Sequence, residues 1–310
     1  MRLATIKLSS GPACAVEMPA GGYLPVAAAA AATGSSEPAL LDGRLQALIE
    51  GGDAALAALA RLVSAAEAGE AALAALIVAP GDADLLAPLP RPEKNVFCVG
   101  RNYAEHIAEG ARAQNAVVNV TEVPVFFTKP RTAVIGEGAT IPLFPHVSTH
   151  IDYEVELAVI IGKAGRDIAR DDAYAHVFGY TILNDVTARD VQRRHGGQYF
   201  KGKGLDGSCP MGPVVVTKDE FPDPQNTGLR LFVNGERRQN STTAQMIFDI
   251  PALIASLSEG LTLEPGDVLA TGTPSGVGYA MEPPRFLTDG DEVVCEIDGI
   301  GRLTNTVRPA

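Results

Sequence analysis

Cysteine is scarce in this chain and does not cluster: four residues, at 14, 98, 209 and 295, with no C-x-x-C pair among them. Such spacing suggests neither a zinc site nor a disulfide framework, and reduced thiols in a cytosol are the simplest reading. Basic charge is short as well. Lys and Arg total 25 against 37 Asp and Glu, a net charge of −12. Nucleic acid or an anionic membrane would be repelled by such a surface, so a small substrate or another protein is the better partner. No uninterrupted apolar run approaches the roughly 18 residues of a membrane span, and the opening MRLATIKLSSG alternates in polarity where a secretion signal would be apolar. A cytoplasmic protein is therefore expected. The sequons at Asn119 and Asn240 carry no weight, because glycosylation needs a secreted chain.

What the chain does have is apolar content, 46% of 310 residues, enough for one large domain or two modest ones. Residues 2–8 and 13–18 read as a hairpin around Ser9, Ser10 and Gly11, and the Ala-rich stretch to about Ala79 reads as helix with turns. Pro88, Pro90 and Pro92 in PLPRPEKN then prevent regular structure. A boundary near Arg91 follows, with an N-terminal region 1–90 and a second domain 91–310. Beyond it, short Val/Ile-rich runs alternate with Pro, Gly and Asp, from Val96 to Ile297, with helices near 103–113, 187–194 and 247–258. That cadence predicts an α+β chain, mainly β: a barrel or roll of mixed strands behind a smaller N-terminal α/β region.

Residues 196–213, GGQYFKGKGLDGSCPMGP, fit two nucleotide signatures at once. Neither survives. A Walker A lysine is followed by Ser or Thr to hold magnesium, and here Gly204 follows Lys203. Both signatures also need a strand before the glycines and a helix after them, and His195 and Gly196 precede while Pro210 and Pro213 follow. No nucleotide cofactor is expected. What remains is a flexible, glycine-flanked loop presenting Lys203, with Lys201 second.

In IDYEVELAVIIG, Glu154 and Glu156 fall on one face of a strand, with Tyr153, Val155 and Leu157 on the other. A water-facing amphipathic strand is the bland explanation. The following Ala158 to Ile161 is apolar on both faces, which argues for an interior strand, and a buried carboxylate pair needs a cation. Asp185, at the turn ending YTILND, adds a third carboxylate. Three carboxylates without a Cys ligand favour one hard divalent ion, Mg²⁺ first, with Mn²⁺ or Ca²⁺ as alternatives. In VGRNYAEHIAEG, His106 and Glu109 are helix neighbours, so the carboxylate can orient the imidazole, although on spacing alone a surface ion pair is the commoner outcome. His150 is the rival base.

Taken in order, NVFCVGRNYAEH, DYEVELAVIIGK, LNDVTARD, GKGLDGSCPMGP, VNGERRQ and GDVLATGTPSGVG resemble the fumarylacetoacetate hydrolase family over residues 91–308. The resemblance implies a mixed β-sandwich roll, commonly homodimeric, with a metal on Glu154, Glu156 and Asp185. It implies that His106 and Glu109 activate water, that Lys203 is the family lysine, and that Thr273 contacts a substrate carboxylate. Arg101, Tyr103 and Gln192 are expected at the substrate too. The implied reaction is hydrolytic cleavage of a C–C bond in a 2,4-dioxo acid, an acylpyruvate or fumarylacetoacetate-like compound. The metal would hold the enolate left behind, and Lys203 would stabilise the developing oxyanion. Decarboxylation, isomerisation or tautomerisation of oxo acids on the same apparatus is the alternative, and a catalytically silent metal-dependent binding protein a third.

Overall fold

The computed structural model describes all of residues 1–310. The chain opens with strands β1 (Arg2–Leu8), β2 (Gly11–Glu17) and β3 (Tyr23–Pro25), then helices α1 (Val26–Ala32), α2 (Pro38–Asp42), α3 (Leu45–Glu67) and α4 (Ala71–Ala74). The short β4 (Leu85–Leu86) leads to β5 (Val96–Gly100), α5 (Ala104–Ala113), β6 (Val125–Lys129), β7 (Val134–Ile135), β8 (Thr140–Leu143), β9 (Ile151–Asp152) and β10 (Val155–Ile161). After β11 (Val177–Asn184) and β12 (Thr187–Ala188) come α6 (Arg189–Arg194), α7 (Tyr199–Lys203), β13 (Cys209–Thr217), β14 (Gly228–Val233) and β15 (Glu236–Thr242). The chain ends with α8 (Ile250–Ser258), β16 (Val268–Ala270), β17 (Glu292–Ile297) and β18 (Gly301–Pro309). No helix is long and apolar enough to cross a membrane.

One sheet runs β3-β2-β1-β13-β11-β10-β16-β5-β6, with β4 on β1 and β7 on β13, and a second runs β15-β14-β17-β18-β8. The architecture is α+β, dominated by its sheets. β10 explains the layering. Val155, Leu157, Val159 and Ile161 share a core with Leu229, Leu231, Val293 and Leu303 of the second sheet. Ala158 and Ile160, on the opposite face by strand alternation, share another with Leu48, Ile49, Leu59 and Leu62 of α3. The large sheet is thus covered by a second sheet on one side and by the alanine-rich helices on the other. The buried residues of α3, among them Leu45, Leu48, Ile49, Ala55, Leu59 and Leu62, recur at helical spacing. The helix kinks at Gly52, whose φ of 56° and ψ of −146° suit only glycine.

The prolines of residues 87–95 do keep that stretch free of helix and strand. Across the expected boundary near Arg91, however, sheet and core continue: Arg2 and Leu3 pair with Val216 and Val215, and Leu3 and Ile49 share a core with Ala158 and Val215.

Candidate active site

Strand register gathers the three carboxylates. β10 pairs with β11 so that Val155 faces Asn184, and β9 pairs with β12 so that Asp152 faces Thr187. The turn between β11 and β12 therefore lies against the entry to β10. Asp185 donates its N–H to the Glu154 carbonyl at 2.9 Å, and Asn184 Oδ1 accepts the Glu154 N–H at 3.0 Å. Glu154, Glu156 and Asp185 are all buried, and one ligand oxygen from each lies within 4.8 Å of the others.

Three cations hold this cluster. Lys203 donates to Glu154 Oε2 at 2.8 Å, Asp185 Oδ2 at 2.6 Å and Thr187 Oγ1 at 2.8 Å, which uses all three ammonium protons. It is not on a flexible loop as expected. It ends the one-turn helix α7 and is buried, while Lys201 is exposed. The glycine before it serves packing, since a Cβ on Gly202 would lie 2.6 Å from that of Gln192 in α6. Sequence reasoning missed the other two cations. Arg189 donates to Asp152 Oδ2 at 2.8 Å and to Glu154 Oε1 at 2.7 Å. Lys129, fully buried at the end of β6, donates to Asp185 Oδ1 at 2.7 Å, to the Val186 carbonyl at 3.1 Å and to the Lys203 carbonyl. A basic residue closing an apolar strand, as in VFFTKP, was the available signal for Lys129.

A cavity of about 360 Å³ opens on the cluster, lined by Glu154, Glu156, Asp185 and Lys203. His106 lines it too, and His106 Nδ1 lies 2.9 Å from Glu109 Oε1. A carboxylate only accepts, so the imidazole proton belongs on Nδ1 and Nε2 is left with its lone pair. Glu109 is buried behind the histidine, and its Oε2 accepts the Gly276 N–H at 2.8 Å. This pair is no surface ion pair.

Arg101, Gln192 and Thr273 also line the cavity. Thr273 donates its hydroxyl proton to the Val155 carbonyl at 2.9 Å and accepts from Gln239 Nε2 at 2.8 Å, so its hydroxyl can meet a ligand only as an acceptor. Tyr103 is not among the lining residues: it is buried, with its hydroxyl unpartnered. His150 also lies off the cavity, 3.6 Å from Asp190 and edge-on to Phe286.

The carboxylates are unequally compensated. Burial alone would raise Glu154, but Lys203 and Arg189, then His106, pull it down to about 2. Glu156 goes the other way, pushed well above the ordinary carboxylate range by burial and by the neighbouring Asp185 and Glu154. Its Oε2 accepts the Gly272 N–H at 2.7 Å, and it takes part in no ion pair. An all-oxygen donor set with one buried carboxylate short of positive charge is what a hard divalent cation would complete.

The cavity thus joins an acidic cluster able to take a metal ion to a histidine held by a buried carboxylate. Residues 95–308 match the family model for the fumarylacetoacetate (FAA) hydrolase C-terminal domain. The chain is 45% identical over 267 residues to "Oxaloacetate tautomerase YisK" of Bacillus subtilis, covering 86% of this chain and 87% of that protein. It is 47% identical over 232 residues to the mitochondrial oxaloacetate tautomerase fahd2 of Xenopus laevis, covering 74% and 70%. Among solved structures, the fumarylacetoacetate hydrolase of Exiguobacterium antarcticum superposes with a TM-score of 0.79 at 38% identity, over the whole of both chains. The chain belongs to the fumarylacetoacetate hydrolase family.

Proposed function

We propose that the protein interconverts the enol and keto forms of a small 2-oxo dicarboxylate, with oxaloacetate the first candidate. The observation that carries this reading is His106, held through Nδ1 by Glu109 on a cavity wall shared with the acidic cluster, so that Nε2 is the free base. A divalent ion on Glu154, Glu156 and Asp185 would supply a Lewis acid that favours negative charge on the 2-oxo oxygen. His106 then takes the proton from C3 of the keto form and, as imidazolium, returns it to the oxygen on C2, which completes the enol and restores the free base. The reverse order gives the ketone. Lys203 has no free proton to offer; it fixes Glu154 and Asp185. The far carboxylate has Arg101 and Arg193, which line the cavity and pair with no carboxylate of the protein.

The names of the two sequence relatives support tautomerisation ahead of C–C hydrolysis, the first expectation from sequence. Hydrolysis of an acylpyruvate is the second reading, favoured by the name of the similar solved structure and by the same histidine, which would serve equally to deprotonate water.

The test follows the ultraviolet absorbance of enol oxaloacetate, with Mg²⁺ or Mn²⁺, beside an acylpyruvate assayed for pyruvate. Enol decay should be accelerated over the blank, and Glu109→Gln should slow it by about 10²-fold, the scale of general-base loss. Arg193→Ala should raise KM for the dicarboxylate by about 10- to 100-fold, since a hydrogen bond to a charged group contributes roughly 1.5–3 kcal/mol. Cleavage of the acylpyruvate with no acceleration of enol decay would replace this reading with hydrolysis.

A further inference from the structure

We infer that Asp152 is a positioning residue that fixes the imidazole of His106 relative to the acidic cluster. The inference rests on His106 and Glu109 acting as base and orienter. Asp152 is fully buried, does not line the cavity and has no part in the chemistry above. Its carboxylate nevertheless takes four donors. Oδ1 accepts the N–H of Gly278 at 2.7 Å and of Tyr153 at 3.0 Å, and Oδ2 accepts Arg189 Nε at 2.8 Å and the Tyr279 N–H at 3.1 Å.

Those donors belong to two separate parts of the site. Arg189 reaches past Asp152 to Glu154 Oε1 at 2.7 Å, so Asp152 sets the arginine that sets one carboxylate of the cluster. Gly278 and Tyr279 belong to the turn on which α5 rests. Gly276 of that turn donates to Glu109 Oε2 at 2.8 Å, Ser275 donates to Glu105 Oε2 at 3.1 Å, and the Tyr279 hydroxyl lies so near Gly110 that a Cβ there would overlap it. Arg189 closes the loop by lying 4.4 Å over the Tyr279 ring. One buried carboxylate is thereby the joint between the segment bearing Glu154 and the turn seating the helix of His106. Proton transfer demands placement of the base to a fraction of an ångström, and misplacement by about 1 Å costs on the order of 10²-fold in rate. Gly278 lets the turn close on two sides, since a Cβ there would come within 2.0 Å of the Arg285 carbonyl oxygen and 2.7 Å of Asp152 Oδ1.

Asp152→Asn keeps the shape but places an N–H₂ where two N–H donors need an acceptor. In the metal-loaded enzyme its kcat for enol decay should fall about 10²-fold with KM changed less than about threefold. Two readings separate positioning from general weakening. In the metal-free protein, the His106 Nδ1–H resonance of ¹⁵N-labelled samples, which removal of the acceptor in Glu109→Leu should abolish, should be lost or broadened in Asp152→Asn as well. In the double variant Asp152→Asn/Glu109→Gln, the losses should not multiply, because both act through one hydrogen bond. A preserved resonance, or losses that multiply, overturns the inference. If Asp152→Asn fails to unfold cooperatively, Asp152→Glu keeps the charge and both acceptor oxygens but shifts the carboxylate by one methylene, and it should give the same signature; an unchanged resonance and rate there would also overturn it. Wild-type turnover by Glu109→Gln sinks the function reading instead, while the resonance still decides whether Asp152 places His106.

Discussion

The inner face of the strand around β10 is one surface with two characters. Glu154 and Glu156 come first, Ala158 and Ile160 follow, and all four are buried. Burial therefore does not distinguish the halves; what covers them does. Opposite the acids stand Lys203 and Arg189, with Lys129 behind Asp185, whereas Ala158 and Ile160 share a core with the alanine-rich N-terminal helices. A buried carboxylate without such partners would cost several kcal/mol, and a buried isoleucine gains about 1.5–3 kcal/mol with no partner beyond close packing. The polarity of an interior strand thus reports its neighbours, which lie far away in sequence.

The largest expected effect comes from uncovering the apolar half. Deleting residues 1–80 removes β1 from the edge of β13 and strips α3 from Ala158, Ile160 and Val215. Although the family model begins at residue 95, we expect the truncated chain to lose cooperative thermal unfolding and to aggregate through the bared strand edge. A soluble, cooperatively melting 81–310 would show that the helices are a dispensable cover. A gentler break of the same half is Ile160→Ala. It should cost about 2–5 kcal/mol in denaturant unfolding, while calorimetric affinity for Mn²⁺ and turnover at 10 °C stay within about threefold, the two halves being far enough apart to act independently. Loss of metal binding in Ile160→Ala would join what the comparison separates.

Much of the site was legible because its parts sit on short, strongly patterned segments. Alternation placed Glu154 and Glu156 together, helical spacing paired His106 with Glu109, and the apolar run from Ala158 to Ile161 announced an interior strand. The partners were not legible. Arg189 looks like any surface base until the fold buries it, Lys129 shows only as the base that closes an apolar strand, and nothing in local sequence says that Asp152, two residues from Glu154, turns to a different set of donors. The same limit applied to the fold. β15 is polar throughout, ERRQNST, and owes its pairing to β14, while β18 shows its alternation only through Leu303, Asn305 and Val307. Tyr103 was expected at the substrate, but it is buried and is not among the residues that line the cavity.

The smallest expected effect tests the acidic half alone, in protein freed of metal by a chelator. Glu156 holds its proton to a higher pH than the ordinary 4.5, chiefly because it is buried and then because Asp185 and Glu154 repel its charge. Above that ordinary value the folded chain binds more protons at this site than the unfolded chain, so stability should fall as pH rises until the raised value is passed. Glu154, pulled down to about 2, acts with the opposite sign: its contribution is full above 4.5 and is lost as pH falls toward 2. Glu156→Gln cannot ionise and keeps an acceptor for the Gly272 N–H, so it should remove only the first effect. The variant should be more stable than wild type by about 1.4 kcal/mol for each unit by which Glu156 is raised, with the gap opening above pH 4.5 and closing below it. Saturating Mn²⁺ should shift the balance back toward wild type, because a ligand at 100 times its Kd stabilises the protein that binds it by about 2.7 kcal/mol and the variant has lost a ligand. Urea midpoints across pH, with and without Mn²⁺, measure both. Parallel wild-type and variant curves without metal would mean that Glu156 already has its compensating charge, and the acidic half would then need no ion to complete it.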